Sequence, residues 1–182
     1  MQLTNIGSMN YNILACILKA GNVLKLKKGA EIGVLYGDTS EYLLKELPDL
    51  TLYSVDPYLE YNDYKEDRNQ NSLSEYEQIT RSKLARFGNR SEIMKMFSLD
   101  AAKLIPDESL DFVFIDANHD YEFVKEDINA WFPKVRRDGI VSGHDYKSFE
   151  GVTKAVDEFC LAKNIQGFYT PITSDVWFFV KP

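Results

Sequence analysis

Only two histidines occur in the 182-residue chain, and both stand among carboxylates. His119 follows Asp116 and Asn118 and precedes Asp120, and His144 precedes Asp145. Each group lies just past a short apolar run, 111–116 or 140–143, of the kind that forms a buried parallel strand. Three further runs end in the same way: 29–33 carries Glu31 and Gly33, 51–55 leads to Asp56, and 91–97 leads to Ser98 and Asp100. Asp116, His144 and Asp145 could share one metal, because neighbouring strands lie only about 4.8 Å apart. Two carboxylates suit Mg²⁺ or Mn²⁺, and an imidazole shifts the preference toward Mn²⁺, Fe²⁺ or Zn²⁺. The same residues also fit a neutral, hydrogen-bonded His144 with Asp145 capping the next helix. His119 has the chemistry of a general base near neutral pH. A histidine there could equally serve only the free N–H groups of a helix start.

The stretch 30–40 reads as strand, glycine turn and helix. Asp38 or Thr39 can cap that helix, and Tyr42, Leu43, Leu44 and Leu47 follow at helical spacing. The turn is not a dinucleotide fingerprint. Glu31 stands where its first glycine belongs, and Leu35 and Tyr36 replace small residues that would admit a pyrophosphate. Glu31 repels a phosphate and suits a cation, so the turn fits a cofactor with a positive end and no phosphate, such as S-adenosylmethionine. Asp56 follows Gly33 by 23 positions. An acid at the end of the second strand can accept both hydroxyls of a ribose, although Asp-Pro is also a common turn starter.

These residues need elements that carry them to one place. An amphipathic helix is expected over 8–25, with Ile13, Leu14, Ile17, Leu18 and Leu24 as its stripe. Helices are further expected over 38–47, 72–87 and 98–104, around Val124, Ile128 and Trp131, and from Val152 to Cys160. Asp138-Gly139 reads as a turn before the fifth strand, and 167–170 with 176–180 as a closing hairpin. Residues 58–71, rich in tyrosine and acids, read as a lid loop. Strands alternating with helices imply a doubly wound α/β domain with a mostly parallel sheet, in which ligands sit beyond the carboxyl ends of the strands. No linker or repeat divides the chain, so residues 1–182 read as one domain.

A net charge of −7 and a pI near 4.9 argue against a broad nucleic-acid surface. The apolar run 13–18 is too short to span a bilayer. No targeting segment is visible, which makes the cytoplasm the expected location. Cys16 and Cys160 have no metal spacing and read as reduced, buried thiols.

Glu31-x-Gly33-x-x-x-Gly37, Asp56-Pro57, the run Phe114 to Tyr121 and the run Asp138 to Tyr146 together resemble a class I S-adenosylmethionine-dependent methyltransferase. The chain is similar to the small group called methyltransferase family 24, and through it to catechol- and sugar-type metal-dependent O-methyltransferases. The resemblance implies a seven-stranded sheet with an antiparallel last strand. It implies that Glu31 and Gly33 hold the methionine end of the cofactor, and that Leu35, Gly37 and Thr39 belong to its pocket. Asp56 would bind the ribose, Ser98 and Leu99 would flank the adenine, and Asp116 would join both cofactor and metal. Asp116, His144 and Asp145 match the metal positions of the catechol type, and His119 stands where those enzymes keep a catalytic lysine. That type has an acid in place of His144 and an amide in place of Asp145. The implied reaction is methylation of a small-molecule hydroxyl, with Mg²⁺ or Mn²⁺ in support; a homo-oligomer is compatible with it. Two other readings are a cofactor-binding interaction subunit without turnover and a metal-dependent hydrolase using Asp116, His144 and Asp145.

Overall fold

The computed structural model describes residues 26–60 and 70–182, together with Leu14, Ala15 and Leu18. Six strands form one sheet: β1 (Lys28–Ile32), β2 (Thr51–Val55), β3 (Ser91–Met94), β4 (Leu110–Ile115), β5 (Val135–Gly143) and β6 (Trp177–Val180). Their order is β3-β2-β1-β4-β5-β6, parallel except for β6, which runs antiparallel to β5. The helices are α1 (Asp38–Glu46), α2 (Gln70–Leu84), α3 (Ser98–Leu104), α4 (Tyr121–Trp131) and α5 (Glu150–Ala162).

Both faces of the sheet are covered, because β4 alternates two apolar sets. Val113 and Ile115 join the cluster made with α3, α4 and α5, including Val124, Ile128 and Trp131. Phe112 and Phe114 join Leu43 and Leu44 of α1, Leu84 of α2, and Leu14 and Leu18. Truncating a ring such as Phe114 to alanine would cost about 3–5 kcal/mol at so buried a position. The remainder of the expected 8–25 helix, with Cys16, and most of the expected lid loop lie outside the described residues.

The sheet has six strands among the described residues, not seven. The expected 167–170 strand is reduced to a single antiparallel bridge between Tyr169 and Phe178. Gly167 bends the chain at φ 81° before the bridge, and Pro171 after it has no N–H to continue a ladder. The expected turn at Asp138-Gly139 is instead a bulge inside β5. Leu110 pairs with Val135 and Phe112 with Ile140, so the extra β5 residues buckle out, with Asp138 at φ 58°. The expected helical cap at Asp38 or Thr39 does not form. Gly37, at φ 71°, precedes α1 without a side-chain cap, and Asp38 pairs with Lys83 of α2.

What matters for function is the register. Ile32 pairs with both Val55 and Ile115, and Ile115 pairs with Gly143. One residue further on, Gly33, Asp116 and His144 donate backbone N–H bonds to Val55, Ile32 and Ile115 at 2.9, 2.8 and 3.0 Å. Asp56 donates likewise to Met94 at 3.2 Å. Residues up to 111 positions apart in the chain (33 to 144) therefore emerge on one rim of the sheet.

Candidate active site

Gly33 has φ 87°, and a Cβ there would lie 2.1 Å from the Asp116 carbonyl oxygen. The glycine is thus demanded by the approach of β1 to the end of β4. A Cβ on Gly37 would meet Thr80 at 2.9 Å, so this glycine seats the turn against α2. Thr80 Oγ1 donates to the Leu35 carbonyl at 2.7 Å, and Lys83 Nζ to the Tyr36 carbonyl at 2.8 Å. Leu35 itself sits at φ 50°, a left-handed conformation that costs a residue with a Cβ about 1–2 kcal/mol.

Asp56 anchors this turn. Its Oδ2 accepts the N–H groups of Val34 and Leu35 at 2.9 and 3.0 Å, and its Oδ1 accepts that of Tyr58 at 2.8 Å. A carboxylate offers about four lone-pair positions. Three are used here by the protein's own backbone.

Beside the turn lies a cleft that encloses about 630 Å³ of empty space with the open solvent at its mouth included. Of the residues expected to bind a cofactor, Gly33, Leu35, Asp56, Ser98 and Asp116 line it. Glu31, Gly37, Thr39 and Leu99 are not in the lining. Glu60 and Leu59 from the segment after β2, and Leu73 from α2, do line it and were not singled out by sequence. Only the apolar character of Leu73 within an amphipathic helix hinted at its place.

Glu31 lies beneath the turn rather than in the cleft wall. It is 2% exposed and accepts a hydrogen bond from Ser40, whose Oγ also lies 2.6 Å from Ser54 Oγ. Desolvation by burial pushes Glu31 up to about 8, the Ser40 bond opposing and the nearby Asp116 and Asp56 adding to the rise. At pH 7 it is therefore largely neutral, whereas the sequence suggested an anion suited to a cation.

Next to Asp116 the two histidines share one carboxylate. His119 Nε2 lies 2.8 Å from Asp145 Oδ2, and His144 Nδ1 lies 3.1 Å from Asp145 Oδ1. His144 Nδ1 is also 3.8 Å from Asp116 Oδ1. Burial alone would raise Asp145, but the bonds from His119 and His144 outweigh it and hold the carboxyl well below the usual range. Burial would lower His144, yet Asp145 and Asp116 raise it overall. Asp116 is held above the ordinary carboxylate range, burial leading and His144 opposing. Asp145 reaches both imidazoles from a backbone at φ 61°, a conformation aspartate tolerates better than most residues. Trp177 of β6 donates to the His144 carbonyl at 3.2 Å, and Phe149 stacks on His119 with centroids 4.0 Å apart.

Asp116, His144 and Asp145 bring ligand atoms within 4.8 Å of one another. His144 Nδ1 is the ring nitrogen that faces both carboxylates and would be the ligand atom, while Nε2, across the ring, is buried without a hydrogen-bond partner among the described residues. The donor set, two carboxylates and an imidazole, fits a divalent cation. The remaining rim candidates have local duties. Asn118 Oδ1 accepts the Asp120 N–H at 2.7 Å, and Asp100 pairs with Lys103 at 2.8 Å on the surface.

A doubly wound sheet with a glycine turn, an acid at the end of β2 and an acid–imidazole cluster beyond β4 and β5 has the plan of a class I methyltransferase. The chain belongs to the methyltransferase domain family, methyltransferase family 24, which it matches over residues 30–146. No curated protein matches the sequence. Among solved structures it is similar to the O-methyltransferase NovP, at 18% identity and a TM-score of 0.73, over 94% of this chain and 78% of that one. It is similar to the O-methyltransferase of Bacillus cereus in complex with SAH, at 17% identity and 0.64, over 95% and 81%. It is similar to TomG of Streptomyces achromogenes, involved in tomaymycin synthesis and in complex with SAM, at 17% and 0.64, over 94% and 79%.

Proposed function

We propose that this methyltransferase moves a methyl group from S-adenosylmethionine to a hydroxyl of a small molecule, with His119 as the base. The observation that carries the reading is the shared position of Asp116. It lines the cleft beside Gly33, Asp56 and Ser98, and it also borders the His144–Asp145–His119 cluster. A cofactor in the cleft would thus have its reactive end beside a base.

Asp145 lies 2.8 Å from His119 Nε2, where it orients the ring and would stabilise the imidazolium formed when His119 takes a proton. Phe149 stacking restricts rotation of the ring. In the reaction His119 removes the acceptor hydroxyl's proton as the oxygen attacks the methyl carbon. The new O–C bond forms as the C–S bond breaks, its electron pair goes to the sulfonium sulfur, and S-adenosylhomocysteine leaves. Ionised Asp145 balances the imidazolium until the proton passes to water. Alignment of oxygen, carbon and sulfur at about 3–3.5 Å would be the protein's main contribution. Asp116, His144 and Asp145 would hold a divalent cation, which when bound supplies stabilisation of the hydroxyl's conjugate base.

The test is transfer of label from methyl-labelled S-adenosylmethionine to a panel of phenol, sugar and polyketide hydroxyls, set beside amines and activated carbon acids, with and without added Mn²⁺. Labelled methyl ether on at least one acceptor, lost in His119→Ala, is the expected result. Label on nitrogen or carbon acceptors only would overturn the choice of hydroxyl.

A further inference from the structure

Ser98 opens α3 and lines the cleft, yet its hydroxyl is committed from behind. It donates to Asp127 Oδ1 and accepts from the indole Nε1 of Trp131 at 2.9 Å. Asp127 and Trp131 are both on α4, at i and i+4, so they present adjacent groups to the same spot. Asp127 is 6% exposed and Trp131 fully buried. Every proton in this chain of bonds has a fixed direction. An indole can only donate, and an ionised carboxylate can only accept. Burial pushes Asp127 up to about 6, with the Ser98 bond opposing, so it remains ionised at neutral pH.

A hydroxyl has one proton and two lone pairs. Asp127 takes the proton and Trp131 one lone pair. What Ser98 can still offer the cleft is a single lone pair. The pair Asp127–Trp131 is also costly as mere packing, since a buried carboxylate that did no more than fasten two helices could be replaced by apolar contacts at no loss.

We propose that Asp127 is a positioning residue that turns Ser98 into an acceptor-only reader of the cofactor's purine, selecting a 6-amino base over a 6-oxo base. The inference rests on the reading above, that the cleft holds S-adenosylmethionine. Adenine presents an N–H donor at position 6, which the remaining Ser98 lone pair accepts. Hypoxanthine presents an oxygen there, and two acceptors face each other with no proton between them. A polar group so mismatched rejects the wrong ligand far more strongly than a missing methyl group would.

The experiment is calorimetric titration of the full chain at pH 7.5 with S-adenosylhomocysteine and with its 6-oxo counterpart, S-inosylhomocysteine. The unmutated protein is expected to prefer the amino form by about 10–100-fold, the span that a buried unsatisfied group commands. In Asp127→Asn the amide can donate to Ser98 and release the hydroxyl proton toward the cleft, so the preference falls to about 3-fold or less. Ser98→Ala removes the reader, and the preference falls likewise. This second variant carries the test if Asp127→Asn does not fold. A merely structural role for Asp127 would weaken both ligands together and leave their ratio untouched. An unchanged ratio in the folded variants, or equal affinities in the unmutated protein, overturns the proposal while the cofactor reading stands. Binding of neither nucleoside by the unmutated chain overturns both.

Discussion

Removing the Asp56 carboxylate should damage the fold before it damages any ligand contact. The side chain accepts the N–H groups of Val34, Leu35 and Tyr58 at 2.9, 3.0 and 2.8 Å. Hydrogen bonds to a charged group contribute about 1.5–3 kcal/mol each. The three share one carboxylate and the freed turn can reach water, so Asp56→Ala is expected to cost about 3–4 kcal/mol rather than the full sum. For a chain of this size each kcal/mol lowers the melting temperature by about 2–4 °C, which gives a fall of about 6–16 °C. One hydrogen bond from a ligand hydroxyl to the same carboxylate would add about 1.5–3 kcal/mol to the loss of binding, or about 10–150-fold in Kd. Asp56→Asn keeps one acceptor oxygen and should retain about half of the stability. Melting curves with and without S-adenosylhomocysteine, beside calorimetric titration, separate the two effects. If Asp56→Ala melts with the unmutated protein and loses only affinity, Asp56 is a ligand group and not the anchor of the turn.

Three further outcomes are expected. Glu31 rises from 4.5 to about 8 on folding. The native state therefore holds a proton that the unfolded chain releases, and stability falls as pH climbs from about 4.5 to 8, by on the order of 4 kcal/mol. Glu31→Gln should flatten that slope in urea midpoints measured across the interval; an unchanged slope would show that burial of Glu31 does not govern it. His119→Ala should lower kcat by about 10²–10⁴-fold while leaving cofactor affinity near normal, and a comparable loss of affinity would instead make His119 a binding group. Asp145 is held low by both histidines, so its contribution is present above about pH 4 and is lost as pH falls further. Asp145→Asn should weaken acid resistance and Mn²⁺ binding together, and intact Mn²⁺ affinity in that variant would exclude Asp145 as a ligand.

The rim was legible because a parallel sheet converts chain order into geometry. Runs that end near Gly33, Asp56, Asp116 and His144 must deliver those residues to one edge once β1 and β4 pair at the centre of the sheet. What sequence did not reveal are the partners that decide chemical state. Nothing local tells that Ser40 and Ser54 bury themselves against Glu31, or that Asp56 spends three lone pairs on its own turn. Ser98 and Asp127 lie 29 positions apart, and only α3 packed on α4 brings them together. Phe149, which steadies His119, is an aromatic past the end of the recognisable run. The missing seventh strand has the opposite cause. Residues 167–170 look strand-like, but Gly167 and Pro171 leave room for only one bridge.

The cofactor's seat on this rim is tested most directly by a crystal of the unmutated chain soaked with S-adenosylhomocysteine. The nucleoside is expected in the cleft between Gly33, Asp56 and Ser98, with its sulfur directed toward Asp116 and His119. A ligand bound elsewhere on the chain, or a sulfur remote from His119, would contradict it.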